Sequence, residues 1–422
     1  MCIRDSPDVH QDFFPAARPL DDGANVVTKV LGFAAVVFVT RSTTEGEYGA
    51  YSYAMNVVGA MVPFMGLGAY QAFLRFASDA PGQRAKKELF HYAFARGVLF
   101  SLLLIGVLQA VAPWVCHAIP ESVATFRIVS FVVLTTLVME YVKSYARAVH
   151  LNHVSARVDM VYAVLLLGAT CALTTGMGIR GYAWAVAGSP LLAALLVGHR
   201  LGLWHWAWRA LDLRYVGFWS YGLFTTAGAL LAQLFYSVDI FLIGHFVGEK
   251  ATSVAVYRVA LLIPMATSVL PISVAATDFV KNSADKHNPK ALRSYMIQYW
   301  KTFGMLSLLC LGVLWVLAPW LLSVFGDGYR DGAEVMRLFL VGSLGAHWLR
   351  VPLGHMLSAV GRADWNTYVN AVVLVLTVAG CWWAIPVWGI MGAAGVMATM
   401  LWVSGILYAF MFGVHLRRQR HD

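Results

Sequence analysis

The sequence predicts an all-α membrane protein, with about twelve transmembrane helices arranged as two parallel six-helix lobes around a central cavity. Three observations carry this expectation. Hydrophobic residues fill 59% of the 422 positions and charged ones only 13%, against roughly 25% charged in soluble domains. Apolar runs long enough to cross lipid recur along the whole chain. The second half also repeats the pattern of the first.

A hydrocarbon layer about 30 Å thick takes about 20 helical residues. Runs of that length fall near 24–41, 48–74, 91–117, 124–147, 155–175 and 181–203, and again near 215–246, 252–280, 297–324, 333–359, 365–385 and 389–414. Ala112-Pro113-Trp114 recurs as Ala318-Pro319-Trp320, about 206 residues later, and at that spacing Tyr51 meets Tyr257, Phe73 meets Phe279 and Arg75 meets Lys281. A shift of about five residues then sets Gly178, Gly181 and Ala183 against Gly389, Gly392 and Ala394. Scattered identities mean little in so apolar a chain, so the weight falls on the tripeptide, the basic residue ending the same helix and the glycine spacing. An even number of helices per copy keeps both copies in one orientation, and a duplicated bundle places its binding site between the copies. A transporter is the first expectation.

In chain order, 1–23 is expected to be a cytoplasmic N-terminal segment, whose first residues, Met1 to Ser6, look unrelated to the rest of the chain and read as an artefact of sequence assembly. No signal peptide is read there, for want of a short apolar stretch with a small-residue cleavage site. Residues 24–203 form the N-lobe and 215–414 the C-lobe, joined by 204–214, where Trp204-His205-Trp206-Ala207-Trp208-Arg209 has the mixture of a headgroup-zone segment. A basic tail, 415–422, closes the chain. Arg84, Lys86 and Lys87, then Arg200, Arg209 and Arg214, then Lys281, Lys286, Lys290 and Arg293 fall on alternate connections, which puts both termini in the cytoplasm. The net charge of +9 thereby serves topology and anionic headgroups, and implies no nucleic-acid partner. The longest polar connections are expected at 76–90 and 281–295, both cytoplasmic. Pro63, Pro264 and Pro271 should bend their helices, and Pro386 should make the last external turn.

Five cysteines without paired spacing and thirteen scattered histidines offer no metal site. No HExxH, P-loop or GxSxG pattern occurs. Catalytic residues, metals and cofactors are therefore not expected, and the short external connections disfavour a membrane glycan polymerase or acyltransferase.

Ionisable groups inside lipid are functional candidates by default. Asp239 and Arg258 lie equally far from the turn at Gly248-Glu249, roughly 14 Å down antiparallel neighbours. They form either a fixed ion pair or a pair exchanged in transport, with Asp239 taking H⁺ or Na⁺ and Arg258 an anionic substrate. Lys29 either snorkels toward Asp21 and Asp22 or meets a phosphate in the cavity. Glu140, Lys143 and Arg147 share one helix face at i, i+3 and i+7, and Arg350 lies near the repeat-equivalent of Lys143. These read as packing salt bridges or as a basic vestibule, with Glu140 a second ion-coupling candidate. Tyr51 and Tyr257 are packed core or sugar-stacking rings. Asn56 and Gln233 read as helix–helix glue.

Several of these stretches resemble a known family. Val238-Asp239-Ile240-Phe241-Leu242-Ile243-Gly244 with Val256-Tyr257-Arg258-Val259-Ala260 is similar to the seventh and eighth helices of bacterial polysaccharide transporters, the O-antigen-type flippases of the multidrug/oligosaccharidyl-lipid/polysaccharide superfamily. Glu47-Tyr48-Gly49-Ala50-Tyr51, Ala318-Pro319-Trp320 with Phe325-Gly326, and Ile385-Pro386 through Gly392-Ala393-Ala394 resemble other parts of it. Thr28-Lys29-Val30-Leu31-Gly32-Phe33 looks like the first helix of peptidoglycan-precursor flippases, in which a basic residue at the Lys29 position faces the cavity. Ala255, where the family usually has Gly, and Arg258, nearer the turn than the usual basic residue, depart from the pattern. The resemblance implies two lobes in a V, and transfer of an undecaprenyl-diphosphate-linked oligosaccharide across the bacterial inner membrane for cell-surface polysaccharide assembly. It also implies membrane lipids and polysaccharide assembly proteins as partners. The alternative is an ion-coupled multidrug extruder of the same fold, whose cavity should be acidic. Here Lys29, Lys143, Arg258 and Arg350 outnumber Asp239 and Glu140.

Overall fold

The computed structural model describes residues 18–204, 215–248, 250–284 and 288–418. Helices follow one another throughout, with no strand among the described residues. α1 is Arg18–Ser42, α2 Glu45–Ala77, α3 Gly82–Ala118, α4 Ser122–Ala148, α5 Asn152–Met177 and α6 Ile179–Arg200. In the second half α7 is Phe218–Phe235 continued by Val238–Phe246, α8 is Lys250–Thr267 continued by Val269–Ala284, and α9 is Pro289–Ser323. α10 runs through Ala333–Gly345, Ala346–Arg350 and Val351–Ala359. Ala363–Arg418 folds back at Gly389 into α11 (363–388) and α12 (389–418). Eight of the described helices are long and apolar enough to cross a membrane, nine if the bent α7 counts as one span. This is a multi-pass membrane protein.

The duplication is visible in the backbone. Gly178 (φ 58°, ψ −140°) and Gly389 (φ 57°, ψ −138°) reverse the chain in the same conformation at aligned positions, one that a side chain would make costly. α2 breaks across Val62–Gly68, around Pro63. α8 breaks at Ser268, the residue the repeat sets against Val62, between Pro264 and Pro271. Those prolines deform their helices as their missing N–H groups require.

Other expectations are corrected. Residues 76–90 and 281–295 are not long loops: α3 starts at Gly82 and α9 at Pro289. Polar side chains beyond the lipid do not stop a helix, and Arg84–Glu88 at i,i+4 supports this one, 3.3 Å apart. Pro386 lies within the helix, and the last turn is made at Gly389, which alone there can take positive φ. α1 starts at Arg18, inside the segment expected as 1–23. The linker expected at 204–214 lies, apart from Trp204, outside the described residues.

α1, α3, α4, α5 and α6 pack among themselves as an N-lobe, while α10 packs on α8, α9 and α12 in the C-lobe. We call the end bearing Arg84, Lys86 and Lys87 the basic end, and the one bearing Thr44, Gly178 and Gly389 the far end. At the far end the lobes meet where α2 crosses α8: a Cβ on Gly49 would overlap the Ala251 carbonyl. Arg41 adds a second tie there, its Nε donating to the Val324 carbonyl at 2.7 Å. Along one side α7 seals against the N-lobe, with Trp219 Nε1 donating to Tyr92 Oη at 2.8 Å and Phe76 packed on Tyr215, Phe218 and Tyr221.

Candidate functional site

The candidate site comprises cations from both lobes: Lys29 on α1, Arg258 on the face of α8 toward α2, and Arg350 within the C-lobe. On α1, Phe33 and Arg41 point at the C-lobe: the Phe33 ring meets the edge of Phe325 at 5.2 Å, and Arg41 bonds Val324. Lys29 stands one turn from Phe33 on the same strip, since i and i+4 share a helix face. It is exposed, and forms no ion pair or hydrogen bond among the described residues. Twelve residues separate it from Arg41, so it lies roughly 18 Å inside the far-end seal. Asp21 and Asp22, the partners for snorkelling, have side chains outside the described set.

The C-lobe places a cation at the corresponding place by another route. The repeat sets Lys29 against Phe235, and the guanidinium of Arg350, reaching over from α10, stands 4.7 Å from the centre of the Phe235 ring. Arg350 Nη2 donates to Asn370 Oδ1 at 3.0 Å, while its Nη1 is buried without a partner. Arg350 and Asp239 line one cavity of about 260 Å³, otherwise walled mainly by apolar side chains such as Leu261, Ile272 and Phe339. Such a wall raises the strength of any charge it surrounds.

Asp239 opens the second segment of α7, after a 45° bend. It is fully buried. The ion pair with Arg258 expected as one reading does not form, because no nitrogen of Arg258 comes within ion-pairing distance of the carboxylate. Instead Tyr257 Oη donates to Asp239 Oδ2 at 2.6 Å, and the Ile240 N–H donates to Oδ1 at 2.8 Å. Equal depth does not fix the rotation of α8, and it is Tyr257 whose side chain points at α7. Arg258 is half-buried, within electrostatic reach of Asp239, Tyr48 and Tyr51. It sits two turns below Ala251 on the face of α8 that meets α2.

The α4 candidates divide. Lys143 is bound by two carboxylates, Glu140 at 2.9 Å and Asp159 of α5 at 2.8 Å, with only 11% of its side chain exposed. In this arrangement the charge of Lys143 is neutralised by these carboxylates. Arg147, a turn further, is exposed. Tyr51 is buried against Tyr182, ring centres 4.8 Å apart, and Tyr257 is buried on Asp239 and Phe339. Neither ring is open to stack on a sugar here. Asn56 joins two helices, its Nδ2 donating from α2 to the Ser237 carbonyl at the break in α7 at 2.9 Å, whereas Gln233 Nε2 donates to the Ser237 hydroxyl at 3.3 Å within α7 itself. Sequence reasoning missed Asp159, Phe33, Arg41 and Asn370. Asp159 alone had a signal, as a second carboxylate in an apolar run.

Comparison with known proteins fits this arrangement. The family described as "Polysaccharide biosynthesis protein" matches residues 38–333, more than two thirds of the chain. The chain belongs to that family. A curated relative, the teichuronic acid biosynthesis protein TuaB of Bacillus subtilis (strain 168), is 24% identical over 384 residues, covering 87% of this chain and 74% of TuaB. The fold is that of two solved transporters. An inward-facing multidrug resistance MATE family transporter of the MOP superfamily superposes with a TM-score of 0.75 at 14% identity, over 94% of this chain and 96% of that one. The lipid II flippase MurJ, in an inward closed conformation, also gives 0.75, at 13% identity over 94% and 87%. Family membership agrees with the resemblance read in the sequence.

Proposed function

We propose that this member of the family is a flippase, which moves a lipid-linked oligosaccharide carrying a diphosphate across the bacterial cytoplasmic membrane. The observation that carries this reading is Lys29: an exposed cation on the inter-lobe strip of α1, without an ion-pair partner among the described residues, three turns inside a sealed far end. Arg350 and Arg258 supply further positive charge from the C-lobe, and Lys143 drops out of the count because Glu140 and Asp159 neutralise it. Among these candidates three cations then outnumber the one carboxylate, Asp239, so the balance still favours an anion over an organic cation.

A diphosphate and a chain of hydroxyls lose many kcal/mol of hydration in hydrocarbon. A wet cationic cleft offsets that loss, while the polyprenyl tail stays in lipid through the open side of the cleft. Loading takes place from the basic end; its Lys and Arg support a cytoplasmic position for that end and for both termini. Release requires the lobes to part where α2 meets α8, and two-state rocking supplies that exchange. H⁺ or Na⁺ acting on Asp239, the membrane potential on the anion, or removal of product outside sets the direction; polysaccharide assembly proteins are the expected consumers. Purified protein in liposomes holding labelled undecaprenyl-diphosphate oligosaccharide tests the reading. Movement of the label between leaflets supports it, and transport of organic cations without such movement overturns it.

A further inference from the structure

A second cavity, of about 660 Å³, lies at the far end above the seam between the lobes. Its walls come from both lobes: Glu47, Glu121 and Arg180 from one, Lys250 and Thr252 from the other. That volume is typical of small-molecule sites, which run about 300–1,000 Å³. Arg180 is exposed and Lys250 half-buried, and neither forms an ion pair or hydrogen bond among the described residues. Of the two carboxylates, Glu47 is engaged, accepting from the Thr44 N–H and hydroxyl at 3.0 Å each. Glu121 is exposed and has no ion pair or hydrogen bond from its side chain among the described residues. α2, α4, α6 and α8 all begin at this cavity. The first turns of α4 and α6 carry no side-chain cap, and each helix start adds about half a positive charge. Among the described residues Arg180 and Lys250 balance the two acids, and the helix starts tip the cavity toward anions.

We propose that it is a binding site for a hydroxylated organic anion, a saccharide bearing a hexuronate being the simplest, and that filling it holds the far end closed. Arg180 and Lys250 belong to opposite lobes and repel each other when the site is empty. A carboxylate between them turns that repulsion into a bridge, and Glu121 accepts from a neighbouring hydroxyl. Opening the far end must separate Gly49 from Ala251, and this carries Lys250 and Thr252 away from Arg180 and Glu121. The complete site exists only in the closed state, so its ligand shifts the population toward closure. An acidic saccharide accumulating outside would in this way slow further export. The inference rests on the lobe motion of the proposed function and not on its cargo.

The test reads the lobes directly and involves no transport. Trp114 and Trp320, the exposed tryptophans of the repeated tripeptide, lie one on each lobe near the far end. Spin labels on Trp114→Cys and Trp320→Cys, in a background with the native cysteines replaced by alanine and in phosphatidylcholine nanodiscs, report the separation. At ten times its Kd, trigalacturonate should raise the ratio of short to long distances about tenfold, and maltotriose should leave it unchanged. Arg180→Gln and Lys250→Gln should each abolish the response, whereas Arg180→Lys should keep it. Two populations that ignore trigalacturonate, an equal response to maltotriose, a response surviving in both Gln variants, or closure driven by phosphatidylglycerol alone would each overturn the site. A single distance under every condition would overturn the lobe motion as well.

Discussion

The role proposed for Lys29 rests on its helix neighbours rather than on burial: Phe33 and Arg41 show which way its face of α1 looks, and nothing among the described residues neutralises it. Losing a charge-assisted contact to phosphate costs about 1.5–3 kcal/mol. Lys29→Ala should accordingly slow flipping at least about tenfold in the liposome assay, while Lys29→Arg keeps most of the rate. Lys143 makes the contrasting case. Removing it leaves Glu140 and Asp159 facing each other without a cation, so Lys143→Ala should destabilise the fold by about 3 kcal/mol, near the lower bound for breaking a buried pair. A fall in the thermal unfolding midpoint in detergent checks this. The sequence showed Glu140 and Lys143 on one helix face, yet no periodicity within α4 could disclose Asp159, which arrives from α5. In the same way depth brought Asp239 and Arg258 level, but the azimuth of α8 gave the carboxylate to Tyr257.

Among elements, the glycine reversals and the proline breaks were legible because each has a local cause. Gly178 and Gly389 hold the same positive-φ geometry. Gly178→Ala and Gly389→Ala should each therefore cost about 1–3 kcal/mol, and a marked inequality between the two unfolding midpoints would contradict the equivalence of the repeats. The break in α7 had no such signal. Tyr236 and Ser237 are neither Gly nor Pro, and Asn56, from the other lobe, donates to the Ser237 carbonyl at the bend, adding to the bond that this carbonyl accepts from the Phe241 N–H. The α2–α8 seam has a consequence of its own. Gly49→Val places a branched side chain where even a Cβ does not fit, so it should hold the far end apart. A cysteine placed at Tyr48 should then react faster with an impermeant maleimide from the far side than it does in the Gly49 protein.

At the scale of the whole molecule, composition and repeat sufficed for the class, the approximate helix number and the duplication, because lipid imposes the same requirement on every span. They did not reveal that the lobes join along α7 and at the far end while Lys29 stays exposed, since that depends on how two bundles lean together. The central claim is that the cationic cleft works only if this far-end seam opens and closes. The most direct measurement uses Tyr48→Cys with Tyr329→Cys, where the two rings meet across the seam 6.4 Å apart, in a background without the native cysteines and in liposomes carrying labelled undecaprenyl-diphosphate oligosaccharide, before and after bridging the pair with a short methanethiosulfonate cross-linker. Flipping should stop when the bridge forms and resume on reduction. An unchanged rate with the lobes cross-linked would contradict the account.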